Sequence, residues 1–359
     1  MTVMISGLFK EVSSPTPERK TKRTELVLRV DVDGMRPLSV VSGDLYSISN
    51  KTRRYAGSFR FKDVEKVKTS KNEYLVTGKS GTFGYVTNQF TDIKVTISTH
   101  SLPFTANAKL IDDSRKVSNH LCTYESKYFR SVQIEHHKEE GVVPFEYYNT
   151  AELLMGSERW IRPITIASAF AEAGIEIKLV GNESKSISHP EFVPVRGSVW
   201  TDERLTAAIP EHLRSLCCRP QWKLWLFSAL KYTIPSTRGI VIFCDGKRVG
   251  CAVFQNATGW QNSIERRRRL FVYIHELGHC FNLPHAWVAR EGGSLIENDY
   301  STLSWMSHPS AYYASKTSHG RDDFWRRFNF QFSNLELLHL RHAFRNDIIP
   351  GGRNFKGLQ

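Results

Sequence analysis

Residues 275–285 read HELGHCFNLPH, and the way this stretch must bend decides how the C-terminal half of the chain is organised. It closes a segment from about Asn262 to Phe281 whose apolar residues recur at helical spacing. On a helix His275 and His279 are four apart and project from one face, one turn apart. Glu276 sits beside them. His285 lies six residues beyond His279, where a continuous helix would carry it away. Pro284 cannot continue a helix and pushes Leu283 out of the helical region. Asn282 then stands at the turn, and asparagine is, after glycine, the residue that best tolerates the left-handed conformation. The expected result is a chain that doubles back and offers His285 to the other two histidines.

Two imidazoles at this spacing can reach one zinc ion, and three protein nitrogens leave a fourth position open for water, as a catalytic zinc requires. Glu276 is placed to take a proton from that water, whose pKa zinc lowers to about 7. HELGHCFNLPH resembles the metzincin zinc signature HExxHxxGxxH, with Asn282 at the glycine position. Further on, Ser304-Trp305-Met306-Ser307 resembles the family's Met-turn, which implies that Met306 forms a hydrophobic floor under the histidines. Val249–Phe254 (VGCAVF) resembles the family's edge strand, which implies that Gly250, Cys251 and Ala252 pair with extended substrate. The succession of helix and strand over 166–180 is similar to the family's N-terminal subdomain. The resemblance covers about residues 151–345 and is nearest to poorly characterised bacterial matrixin-like proteins. It implies a zinc-dependent endopeptidase acting on protein or peptide substrates. His308, Tyr312 or Tyr313 would then either stabilise the tetrahedral intermediate or line the pocket wall.

The first 140 residues have another texture. LVLRVDV (26–32), IKVTIS (93–98) and SVQIEH (131–136) alternate with the strand period, and Asp33-Gly34, Ser42-Gly43 and Ser80-Gly81 read as turns. The fold class expected is α+β or α/β: a β-rich sandwich or barrel over 1–140, a linker over 141–150 containing Gly141 and Pro144, and a zincin catalytic domain of the metzincin kind over 151–359. Within the latter, Thr165 is expected to cap a helix ended by Gly174, and Ile175–Val180 to form a strand. Asp202 is expected to cap a helix towards Leu216, and Trp222–Tyr232 to form an amphipathic helix. Gly239–Asp245 reads as a buried strand, and Ser333 with Glu336 makes a capping box before a last helix.

No run of eighteen uncharged apolar residues is present, so no membrane-spanning helix is expected. The six cysteines are sparse for 359 residues, and Cys217 and Cys218 are neighbours, poor geometry for a disulfide. With no secretory signal at the start, they suggest reduced thiols in a cytoplasm. Cys122 reads as an ordinary buried cysteine, and His339 and His342 as structural. The net charge of +13, densest at Arg266–Arg269 and again over Arg19–Arg23, can attract nucleic acid, anionic membrane or acidic protein, but a solvated basic surface with no dedicated partner is the favoured reading and nucleic acid is not expected. A zinc-stabilised protein-binding module without proteolysis is the alternative to the enzyme.

Overall fold

The computed structural model describes residues 3–12, 23–49, 52–85, 89–143, 145–153, 161–180, 199–212, 219–255, 262–286, 290–291, 294–295 and 300–354. Cys217 and Cys218, Pro144, the end of the helix expected towards Leu216, and all but Arg23 of the basic stretch 19–23 lie outside these residues. The chain is mixed α/β and divides into two compact units, Met1–Arg130 with Leu338–Arg345, and Ser131–Leu337 with Asn346–Gln359. The division falls upstream of 141–150.

The first unit is a ten-stranded antiparallel sheet. Alternation drives it: Leu26, Leu28 and Val30 on one strand and Ile93, Val95 and Ile97 on another are fully buried in one cluster, while Val27, Lys94 and Thr96 between them are exposed or half-buried and Arg29 is buried in a polar network of its own. The sheet curls over this cluster. A Cβ built at Gly78, in the strand second from one end of the sheet, would lie 3.1 Å from Cβ of Phe61, in the strand second from the other. Cys122 is buried in the same cluster. Ser42-Gly43 is not a turn but lies within the strand Val40–Ser49, where the missing side chain of Gly43 makes room for the ring of Phe59.

A polar network holds the segment 338–345 within this unit. Arg341 donates to Asp31 (3.0 Å), His342 contacts Asp31 (Nε2 to Oδ2, 3.1 Å) and Ser42 (2.9 Å), and Arg29 bridges Asp44 (2.8 Å) and Ser42 (3.0 Å). His342 is therefore structural. Burial pushes its imidazole down to about 4 despite the opposing pull of Asp31. Burial alone would raise the Asp31 carboxyl, but His342 and Arg341 outweigh it and leave it lowered.

In the second unit, five strands form a sheet in the order Ile175–Val180, Arg130–Lys138, Lys223–Ala229, Lys247–Phe254, Gly239–Cys244. SVQIEH is thus a strand, but it pairs parallel with Lys223–Ala229 and belongs to this sheet. Trp222–Tyr232 is not a helix; its centre is the strand Lys223–Ala229. This central strand is buried on both faces, so its apolar run has no period of two, and Trp222, Trp225 and Leu226 happen to fall at helical spacing. Trp225, Phe227 and Ala229 pack with Trp200 and the helix Asp202–His212 on one face. On the other, Ser228 meets Tyr273 of the helix Ser263–Cys280 (2.6 Å).

Thr165 caps the helix Ile166–Glu172 through a reciprocal bond with Ser168, and Gly174 follows with φ of +82°. The Asp202 helix is capped instead by Thr201, whose hydroxyl accepts from the Arg204 amide (3.3 Å), while Asp202 accepts from Tyr232 (2.6 Å). The Ser333–Glu336 capping box forms as expected. No helix among the described residues is long and apolar enough to cross a membrane, and no disulfide joins their cysteines.

His342 sets a pH signature. Unfolded, the imidazole takes a proton near its ordinary 6.5; folded, it resists until about 4. The unfolded state binds more protons in that window, so stability present above pH 6.5 declines as pH falls towards 4. Thermal melts at pH 7, 5.5 and 4 should show a smaller decline for His342→Gln than for wild type. Equal declines would mean that this imidazole is not held neutral.

Candidate metal and catalytic site

The helix Ser263–Cys280 starts at Asn262, whose side chain accepts from the Glu265 amide (2.9 Å). The four arginines that follow would oppose the helix dipole, and each is engaged. Arg266 pairs with Glu152, Arg268 with Glu265, Arg267 lies over the Trp325 ring (4.3 Å), and Arg269 donates to the Val143 carbonyl (2.6 Å).

The far end stops as the sequence requires. Asn282 has φ of +64°, its amide donates to His279 O (2.8 Å), and the Leu283 amide donates to Gly278 O (3.1 Å). This is the paired-bond Schellman ending. Its asparagine does something a glycine could not, because the side-chain amide donates to Asp347 O (2.7 Å).

The reversal brings the three histidines together. Nε2 of His279 lies 3.1 Å from Nε2 of His275 and 3.3 Å from Nε2 of His285. Nδ1 of His275 faces Trp305 O (2.8 Å) and Nδ1 of His279 faces Leu283 O (2.7 Å). A carbonyl has no proton to give, so both Nδ1 atoms must be the donors, and a neutral imidazole carries only one such proton. The Nε2 atoms of His275 and His279 are therefore bare lone pairs facing each other. Burial lowers all three imidazoles, to well below the ordinary value for His275, to about 4 for His279 and to about 3 for His285, so they are neutral near pH 7. Converging lone pairs repel unless a cation lies between them. Nitrogens each about 2.0–2.1 Å from one tetrahedral zinc would be about 3.3 Å apart, which matches the observed spacing. The residues fit the ion.

The Ser304–Ser307 turn locks this arrangement from below. The Ser307 amide donates to Ser304 O (3.2 Å), Ser304 Oγ donates to Glu336 (2.7 Å), and the Ala286 amide donates to Met306 O (2.9 Å). Trp305, whose carbonyl orients His275, is fully buried against Phe271, Phe328 and Phe330. Met306 is buried, and a methyl group built at Gly278 would overlap its sulphur. The glycine before His279 is thus the space into which the methionine fits.

Glu276 is nine-tenths buried, and burial raises its carboxyl to about 8. It packs against Gly239, where a Cβ would come within 2.5 Å of its Cγ. Gly239 opens the strand Gly239–Cys244, and this strand is the sheet's edge. The strand Lys247–Phe254, carrying Gly250, Cys251 and Ala252, is paired on both sides and has no open edge to offer. The edge is thus Gly239–Cys244 and not Val249–Phe254; GIVIFC is as apolar in sequence as a central strand, but its residues are mostly half-buried. Two cavities flank Glu276 and His275. One, of about 300 Å³, is walled by Ile240, Val241 and Phe243 of the edge strand. The other, of about 510 Å³, includes His308 but neither tyrosine. Tyr312 is buried against Phe324, and Tyr313 is exposed beside His319. The larger cavity also includes Arg238, Arg268, Arg321 and Trp325, which only the spatial arrangement brings together.

No protein-family model matches the chain, and no curated protein matches it in sequence.

The packing of Met306 against Gly278 makes a counterintuitive prediction. Gly278→Ala favours the helix by about 1 kcal/mol in intrinsic propensity, yet it displaces the methionine packed against the residue before His279. Zinc affinity, measured by competition with a chromophoric chelator, should fall about 10–100-fold, the range for groups that support metal ligands. Unchanged affinity would contradict the role given to Met306.

Proposed function

We propose that the chain is a zinc-dependent endopeptidase of the metzincin kind, with its ion held by Nε2 of His275, His279 and His285. The observation that carries this reading is the convergence of these nitrogens, two of them fixed as bare lone pairs, beside a buried carboxyl and an open sheet edge. When bound, zinc acts as a Lewis acid that lowers the pKa of a coordinated water to about 7 and polarises a carbonyl.

The chain's own groups supply the rest. Glu276 takes a proton from the attacking water and passes it to the departing amine. Its burial makes it a stronger proton acceptor than an exposed glutamate, and a dication nearby keeps it ionised at neutral pH. The outward backbone of Gly239–Cys244 pairs with an extended peptide, which places a scissile bond across the mouth between the two cavities. Gly239 lets that peptide's path run directly over Glu276. His308, on the cavity wall with Nδ1 2.9 Å from Ser310 Oγ, is the one expected transition-state candidate that borders the site.

The test is cleavage of a mixed peptide library, with fragments mapped by mass spectrometry, together with metal analysis. Wild type should hold one zinc per chain and cut. Glu276→Ala should keep the zinc and lose at least about 100-fold in rate, the smaller end of general-base contributions. Stoichiometric zinc with no cleavage of any peptide by wild type would contradict the peptidase and leave a zinc-stabilised binding module.

A further inference from the structure

We propose that the larger cavity selects an acidic side chain, so that this chain prefers substrates carrying a glutamate or aspartate beside the scissile bond. This rests on the peptidase reading for its orientation, but the recognition itself follows from the cavity.

The wall is strongly unbalanced in charge. Arg238, Arg268 and Arg321 line it, and Glu276 is the only acidic residue among the described residues that do so. Arg238 and Arg268 share a single carboxylate, that of Glu265, so two cations there are offset by one anion. Arg321 lies exposed at the start of the helix Gly320–Arg327, and none of the ion pairs among the described residues uses it. Its nearness to the site is felt by His308, whose imidazole is lowered first by burial and then by this guanidinium.

The rest of the cavity suits a carboxylate too. Phe271, Val272 and Trp325 provide apolar walls that take the methylene stem and leave the carboxylate facing the arginine end. Guanidinium groups match a carboxylate with two parallel hydrogen bonds. The volume of about 510 Å³ holds such a side chain with room to spare. The smaller cavity differs: its one cation, Arg248, is already bound to Cys280 O (2.6 Å), Arg353 O (2.7 Å) and Asn354 Oδ1 (2.8 Å), and its strand wall is apolar. Charge selection therefore belongs to one side of the scissile bond.

The experiment uses end-capped peptides identical except for glutamate, glutamine or lysine at one position, scanned along the peptide. Two readouts are taken: cleavage rate by the zinc-loaded wild type and by Arg321→Glu, and affinity of dye-labelled versions for Glu276→Ala and for Glu276→Ala with Arg321→Glu. The proposal expects glutamate over glutamine by about tenfold or more at one position adjoining the cut, as a charge-assisted contact gives. It also expects Arg321→Glu to erase or reverse that ratio in favour of lysine while zinc content stays at one per chain. Cleavage without a glutamate preference, or with one that Arg321→Glu leaves intact, overturns the proposal and leaves the peptidase standing. If nothing is cut but glutamate peptides bind tighter and lose that advantage with Arg321→Glu, acid recognition holds and the peptidase reading falls. Neither cleavage nor a binding difference overturns both.

Discussion

Two backbone carbonyls, Trp305 O and Leu283 O, fix the Nδ1 protons of His275 and His279 and so turn two lone pairs towards each other about 3 Å apart. Such an arrangement is unfavourable by itself, and a cation placed between the nitrogens would offset the repulsion. Much of the second unit can be understood as the means of supplying those two carbonyls. Trp305 is wedged among Phe271, Phe328 and Phe330, so its carbonyl has one position. Leu283 presents its carbonyl because the chain has reversed at Asn282 one residue earlier.

The reversal itself depends on parts distant in sequence. Asn282 reaches Asp347 O, and Arg248, fully buried, joins the end of the helix at Cys280 O to the carbonyl of Arg353. The C-terminal segment from Asn346 thus braces the helix end by accepting from Asn282 and Arg248, while Arg248 satisfies the Cys280 carbonyl. Ser304 does the same for the turn below by donating to Glu336, a residue whose other oxygen caps its own helix. One glutamate serves a helix start and the floor of the site at once.

How much of this was legible in the sequence follows from the range of the forces involved. The helix, its stop at Asn282 and the return of His285 were readable because spacing, proline and asparagine act locally. The turn at Ser304–Ser307 was suggested only through resemblance, since nothing in SWMS by itself demands that Trp305 O face His275. The sheet was read less well. Lys223–Ala229 is buried on both faces and loses the alternation that identifies a strand, and which of Gly239–Cys244 and Lys247–Phe254 lies at the edge is decided by a parallel pairing with Lys223–Ala229 that no local pattern encodes. The arginines of the larger cavity are spread between Arg238 and Arg321, and only the tertiary fold makes them one surface. Likewise, His342 could be read as structural, but not its partners Asp31 and Ser42, three hundred residues away in the chain's order.

The proposed centre has three imidazoles turning their Nε2 atoms to one zinc ion, with a fourth position left for water. X-ray absorption at the zinc edge of the zinc-loaded protein addresses this most directly. The account predicts a first shell of four light atoms at about 2.0–2.1 Å, three of them with the outer-shell scattering of imidazole rings, and no sulphur. A shell containing sulphur at about 2.3 Å, or only two imidazoles, would contradict it.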